Sequence, residues 1–302
     1  MDDVSLIRNL LTTGGGIMLR SDARRVGLSD KVLLAARRRG EIARLTRGAY
    51  AALVPAEIDD HRAVLSRAAL RLYPDAQLAG SAAVAAWGVP MTDVPVIRLD
   101  LARPLAHEVL TQELRIRPRR TPPRTSPRGP ADPLPTALIQ MVLDAGVLTG
   151  TASIDAALHA GLLDRAALES AAATVKGWPG SAKVSCALAW ADGRSESLGE
   201  SLTRLHLSGG GIATTPQVVI RDLHGSVVAR TDLQVDGTKV LVEFDGKVKY
   251  TEGGPDALFQ EKRREDRLRR LGYVVVRVVW ADLYRPAQLV ARVREALATA
   301  AA

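Results

Sequence analysis

Residues 231–245, TDLQVDGTKVLVEFD, decide how the last third of this chain is read. Two apolar runs, Val227 to Val235 and Lys239 to Phe244, flank the turn pair Asp236-Gly237, the pattern of a β-hairpin. A hairpin of that length brings Asp232 and Glu243 together at one sheet edge. Glu243 and Asp245 are two residues apart and project to the same face of their strand. Three carboxylates gathered at the end of an aliphatic strand repel one another and lose hydration. A divalent cation removes that cost, and hard carboxylate oxygens favour Mg2+ or Mn2+. Such an ion activates water and neutralises charge building on a phosphate. Taken alone, Val-Glu-Phe-Asp-Gly also reads as a strand end with solvated acids before a turn.

The surroundings extend the pattern. Upstream, Ser195-Glu196-Ser197 opens a helix predicted to run to about Leu207, placing Glu196 and Glu200 four residues apart on one face. Gly209-Gly210-Gly211 stops it, and a strand from Thr215 to Arg221 carries Gln217. Downstream, a basic helix is predicted from Asp256 to Leu271, ended by Gly272. The buried strand Tyr273 to Val279 and a closing helix from about Pro286 to Ala298 follow. The basic helix sets Lys262, Arg263, Arg264, Arg267, Arg269 and Arg270 against Glu261, Glu265 and Asp266. That excess suits contact with a nucleic-acid backbone, and its i,i+4 pairs equally suit a solvated face.

The order helix, three strands, helix, strand, helix, with TDLQVDGTKVLVEFDGKVKY followed by EKRREDRLRRLGYVVVRVVW, resembles the PD-(D/E)XK, or restriction-endonuclease-like, domains. Within them it is most similar to the very-short-patch-repair-like endonucleases, over roughly 195–285. The resemblance implies a Mg2+-dependent phosphodiesterase whose metal is held by acids on adjacent strands, here Asp232, Glu243 and Asp245. Glu200 would complete the shell directly or through water, and Gln217 would orient water or a phosphate oxygen. One departure matters: where the motif has a lysine, two residues after Glu243, this chain has Asp245. Lys247, of the same strand parity, and Lys262, on the basic helix, are both candidates for the missing charge.

The first fifty residues predict helix, helix, helix, hairpin. Ser5 to about Thr12 is closed by Gly14-Gly15-Gly16, Ser21 caps a short helix to Val26, and Ser29 caps a third helix through Arg39. Ile42 to Leu45 and Gly48 to Tyr50 then flank Thr46-Arg47 as a wing. The third helix carries Lys31, Arg37, Arg38 and Arg39, and the wing adds Arg44 and Arg47, charges suited to a DNA major groove and its flanking backbone. The same scaffold also serves as a protein-docking module. The run LRSDARRVGLSDKVLLAARRRGEIARLTRGAY resembles the N-terminal domain of AbiEi-type antitoxins of type IV toxin–antitoxin systems, over about 5–52. The resemblance implies operator-DNA binding, with Lys31, Arg37 and Arg44 as phosphate or base contacts, and a cognate toxin as a possible partner beside a second copy of the chain.

Between these ends, helices are predicted at 58–72, 81–87, 135–145, 152–160, 164–175 and 180–191, with strands near 76–79 and 95–102. AQLAGSAAVAAWGVP resembles, less specifically, the second domain of AbiEi-like proteins. Arg115 to Pro135 holds six arginines and seven prolines against a single acid, and is expected to be extended and solvated.

The bulk composition agrees with a nucleic-acid partner. A net charge of +8 and a pI near 10.0 favour an anionic partner, although arginine-rich composition also follows from a GC-rich genome. Cys186 is the only cysteine, which excludes an intrachain disulfide and a CxxC zinc site. No run approaches eighteen apolar residues and the N-terminus is acidic, so no membrane association and a cytoplasmic location are expected. The expected architecture is α/β (α+β overall). It comprises a winged helix-turn-helix over 1–54, an α/β middle domain over 55–192 and an endonuclease-like mixed sheet flanked by helices over 193–302. Two functions follow: Mg2+-dependent DNA cleavage, or a DNA-binding regulator with an inactive nuclease fold. Phage defence is a third setting, with the nuclease as effector.

Overall fold

The computed structural model describes residues 2–52, 58–92, 98–246 and 263–301. The chain is mixed α/β, as expected, and packs as two compact units. One comprises Met1–Val89 with Asp93–Asp144, the other Pro90–Thr92 with Ala145–Ala302. The expected boundaries lay at 54 and 192; packing divides the chain at 144/145, through the middle of the expected second domain.

The first unit begins with α1 (Asp3–Thr13), β1 (Ile17–Leu19), α2 (Arg20–Arg25), α3 (Asp30–Arg38), β2 (Ala43–Thr46) and β3 (Ala49–Ala51). The strands form an antiparallel sheet in the order β1-β3-β2, giving the three helices and hairpin of a winged helix. Ile7, Leu11, Met18, Leu28, Leu33 and Ile42 share its core. Gly27, at φ +88°, reverses the chain between α2 and α3, a conformation that glycine enters without a Cβ clash. The strand β1 was not anticipated, and it moves the start of α2: Leu19, not Ser21, is the cap residue, and its N–H donates to Asp22 Oδ2 at 3.3 Å. From α4 (Ile58–Leu72), Arg71 donates to the carbonyls of Gly14 and Ile17, each at 2.8 Å, and to Asp22 at 3.0 Å.

Next come β4 (Gln77–Leu78), α5 (Gly80–Ala86), β5 (Leu99–Arg103), β6 (Val109–Leu110), β7 (Leu114–Pro118), β8 (Arg124–Ser126), β9 (Gly129–Ala131) and α6 (Leu134–Ala145). The strands make one mixed sheet, β6-β7-β5-β4-β9-β8. β8, β9 and all of β7 but its first residue fall inside 115–135, so the segment is folded into the sheet, although Arg120, Arg124 and Arg128 stay exposed as expected. Leu114, Ile116 and Ala131 are buried, and Arg115 and Arg117 find acids elsewhere in the unit. Arg117 bridges Asp100 at 3.2 Å and Asp144 at 2.6 Å. Burial lifts the Asp100 carboxyl to about 6 against the pull of Arg117, with Asp144 adding to the rise.

The second unit holds α7 (Val147–His159), α8 (Arg165–Ala173), α9 (Ser181–Trp190), α10 (Leu198–Gly209), β10 (Thr214–Arg221), β11 (Val227–Val235) and β12 (Val240–Phe244). After these come a helix, α11, described over 263–270, then β13 (Val274–Val278), α12 (Trp280–Leu283) and α13 (Pro286–Ala300). The sheet order is β10-β11-β12-β13, antiparallel except for the parallel pair β12–β13. Alternation along the strands gives it two apolar faces. Leu233, Val242, Val276 and Val278 pack with Leu207 of α10 and Leu289 and Val293 of α13. Leu241 and Val275 point the other way, onto Leu268 of α11. No helix among the described residues is long and apolar enough to cross a membrane.

Candidate functional site

One row of residues crosses the second unit's sheet where the pairing of β11 with β12 runs out. The paired positions are Gln234–Leu241 and Leu233–Val242, so the next step sets Asp232 opposite Glu243. At that step the ladder opens. The Phe244 N–H donates to Asp232 Oδ2 at 2.7 Å, a side-chain carboxylate taking the place of a strand carbonyl. On the other side of β12, Glu243 pairs in register with Arg277 of β13. The Asp245 N–H continues that ladder by donating to the Val278 carbonyl at 2.7 Å. On β10, Gln217 lies between the Pro216–Leu233 and Val218–Thr231 pairs, opposite Asp232. Gln217, Asp232, Glu243 and Arg277 therefore occupy one line across four strands.

Gln217 breaks the regular β10 backbone, at φ +55°, a left-handed conformation costing a non-glycine residue about 1–2 kcal/mol. Its amide donates to Glu200 Oε2 at 2.8 Å. The sequence pattern placed Glu200 near the metal and Gln217 near the water; the structure joins them to each other. Ser197, not Ser195, caps α10, its hydroxyl accepting from the Glu200 N–H. The Glu200 carboxylate folds back on the cap, accepting from the Ser197 hydroxyl at 2.9 Å and the Glu196 N–H at 3.0 Å. Glu196 lies outside the helix and pairs with Arg230 at 2.7 Å, so it shares no helical face with Glu200.

Glu243 is the centre of the row. Its side chain is 13% exposed. Oε2 accepts from Arg264 Nη2 of α11 at 2.9 Å, whereas the buried Oε1 meets no hydrogen-bond partner among the described residues. A buried carboxylate oxygen without a donor is costly, and a hard cation is the ligand that such an atom suits. Asp232 is the acid facing Glu243 across the ladder. Among the described residues, however, no three of His, Cys, Asp and Glu come together as a metal-holding group. Glu243 and, set opposite it, Asp232 are the acids that would hold a cation here. Lys247 and Lys262 lie outside the described residues, as does the expected start of the basic helix.

Close packing sets the row against α10. A Cβ on Gly199 would lie 2.0 Å from Phe244 Cε1, so only glycine lets α10 come this near β12. Phe244 in turn meets Trp280 edge-on, with ring centroids 5.2 Å apart.

In the first unit, Lys31, Arg37 and Arg38 are exposed on α3, and Arg47 is exposed at the tip of the β2–β3 hairpin. Leu33 and Ala36 turn the opposite side of α3 into the core, leaving Lys31, Leu34 and Arg38 at helical spacing outside. Arg39 is bonded to Glu41 at 2.7 Å, and Arg44 stands 3.8 Å from Glu113, so these two have acidic partners within their own unit. Asp30 similarly holds Arg20 and Arg24, which keep its carboxyl far below the usual range.

No family model matches the chain. It is 30% identical over 143 residues to the uncharacterized protein Rv2248 of Mycobacterium tuberculosis strain H37Rv. The uncharacterized protein MT2308 of strain CDC 1551 matches to the same extent. The aligned part is 47% of this chain and 52% of each relative, so the chain spans about half the length of the curated relatives it matches.

Two residues of the site, Arg277 in the row and Arg264 beside it on α11, were not singled out by sequence reasoning. Arg277 was visible as the one charge in YVVVRVV, an aliphatic strand where an unpaired charge would be expensive. Arg264 had no such signal, since it is one of six basic residues along its helix.

Proposed function

We propose that the second unit hydrolyses phosphodiester bonds in DNA with the help of a divalent cation, Mg2+ or Mn2+. The observation that carries this reading is the buried Oε1 of Glu243, without a hydrogen-bond partner among the described residues, on a residue set opposite Asp232 where the β11–β12 ladder opens. Glu243 and Asp232 would hold the cation, with Asp245 at the next same-face position along the strand. When bound, the ion supplies charge neutralisation at the phosphate and makes water a better nucleophile at neutral pH. The chain's own groups do the rest. Asp232 fixes the end of β12 through the Phe244 N–H, so that Glu243 is held in one orientation. Arg264 supplies positive charge next to it, and would stand where phosphate oxygens gather negative charge. Water adds to phosphorus and loses a proton to solvent, one P–O ester bond breaks, and the leaving oxygen takes up a proton from solvent to leave as a hydroxyl. The reaction suits a cytoplasmic protein of high pI acting on a polyanion. The test is nicking of supercoiled plasmid by the full chain with Mg2+ or Mn2+, alongside calorimetric titration with Mn2+. Cleavage that EDTA abolishes is expected; no cleavage together with no metal binding would overturn the reading.

A second reading is a DNA-binding regulator of the antitoxin kind, in which the winged helix acts and the nuclease-like sheet does not cut. It is favoured by the outer face of α3, where Lys31, Arg37 and Arg38 surround the exposed Leu34. Here the double variant K31A/R38A is expected to weaken binding to its own promoter DNA about tenfold or more at moderate salt, since two phosphate contacts are lost. Unchanged affinity in a gel-shift titration, with the same salt dependence as wild type, would remove α3 as the contact surface.

A further inference from the structure

The arrangement around Glu243 holds more than a metal ligand. Its two oxygens are treated differently: Oε2 is bonded to Arg264, while Oε1 is buried without a donor among the described residues. Arg264 is itself placed by its helix. Leu268, one turn further along α11, is buried among Ile220, Ala229 and Leu241. Glu265, the neighbour of Arg264, pairs with Arg269 at 2.6 Å and Arg277 at 3.3 Å, tying α11 to β13. Arg264 thus holds the Glu243 carboxylate directly, while Arg277, in register with Glu243 on β13, pairs with Glu265 of the same helix as Arg264. The described part of β12 carries no lysine, and Lys239, just before it, donates to the Leu271 carbonyl at 2.8 Å.

Resting on the nuclease reading above, we propose that Arg264 is the substrate-binding cation of this site. It holds Glu243 as its counter-ion and transfers to the phosphodiester when a divalent cation takes that carboxylate. The exchange leaves each charged group beside a partner of opposite sign. Glu243 trades a monovalent guanidinium for a divalent ion, and the guanidinium trades a carboxylate for a phosphate, which matches its planar donor pair equally well. Arg264 and the metal are then competitors for Glu243 but cooperate once DNA is present, because the phosphate offers the displaced guanidinium a new partner. A residue that merely braced Glu243 would not show this reversal of sign.

The test uses the full chain with three substitutions, R264Q, R264K and E243Q, and three readouts. Mn2+ affinity is measured by calorimetry without DNA, DNA affinity by filter binding in Ca2+, and cleavage in Mg2+. R264Q is expected to bind Mn2+ about tenfold more tightly than wild type, because the competing cation is gone, yet to bind DNA about tenfold more weakly. Its cleavage is expected to fall on the order of a hundredfold. R264K, retaining the charge without the planar fork, is expected to bind Mn2+ like wild type and to recover part of the DNA affinity. Thermal melting of R264K and R264Q checks that both fold. Weaker Mn2+ binding by R264Q with unchanged DNA affinity would overturn the proposal and leave Arg264 as a brace, the nuclease reading standing. If wild type and E243Q alike bind no Mn2+, the nuclease reading falls and this proposal with it.

Discussion

Replacing Glu243 by glutamine is expected to lower Mg2+-dependent cleavage by the full chain on the order of a thousandfold, with little change in stability. The argument turns on the buried Oε1. Glutamine keeps the volume and can still offer Arg264 a carbonyl oxygen, so the packing of α11 over the sheet persists. It then points an NH2 group, a donor, at the position where Oε1 now lies without a partner among the described residues. A donor there repels a cation instead of ligating it. Calorimetry should therefore show Mn2+ binding lost together with cleavage. Arg264 is about a third exposed, so losing its ionised partner should cost stability only about 0–1 kcal/mol. Cleavage within threefold of wild type would mean that Glu243 does not hold the metal.

The parts of this site that sequence made legible are those set by strand period and hairpin length. Lys239 to Phe244 and Tyr273 to Val279 are aliphatic runs, and the parallel pairing of Val240 to Phe244 with Val274 to Val278 follows from burial on both faces. The turn at Asp236-Gly237 brings Asp232 and Glu243 to facing positions for the same reason. What sequence left hidden depends on long-range geometry or on local competition for hydrogen bonds. Glu200 reads as a free acid on a helix face, but a serine three residues before it offers a nearer partner, and the cap absorbs it. Gln217 reads as an ordinary strand residue; only its left-handed backbone turns its amide onto Glu200. Arg115 and Arg117 read as solvated because Asp144, which both meet, lies 29 and 27 residues away. Arg264 is chosen from its basic neighbours only by the way α11 lies across the sheet.

The largest effect on stability is expected at Asp155, which sequence placed in a domain separate from the nuclease-like sheet. Asp155, on α7, is fully buried and accepts from Arg204 Nη2 of α10 at 2.8 Å and from the Asp192 N–H at 2.7 Å. Burial raises its carboxyl above the ordinary range, and Arg204 pulls only partly against that rise. The buried pair is therefore no large net source of stability, although losing half of it is costly. Asp155→Ala leaves the Arg204 guanidinium, 7% exposed and already with its Nε unpartnered among the described residues, without its acid. The expected loss is about 3–5 kcal/mol, read as a lowered urea midpoint. The double variant D155A/R204M, which removes both charges, should recover most of it. A single variant within about 1 kcal/mol of wild type, or a double variant no better than the single, would show that the pair is not what locks α7 to α10. The same pair joins α7 to α10 across the expected boundary at 192, in keeping with their place in one unit. Since α10 also carries Gly199, which seats Phe244, and Glu200, which holds Gln217, a fragment beginning at 193 would keep the row of the site. It would present the buried Arg204 without its acid, and α10 would lose the contact that fixes it from behind.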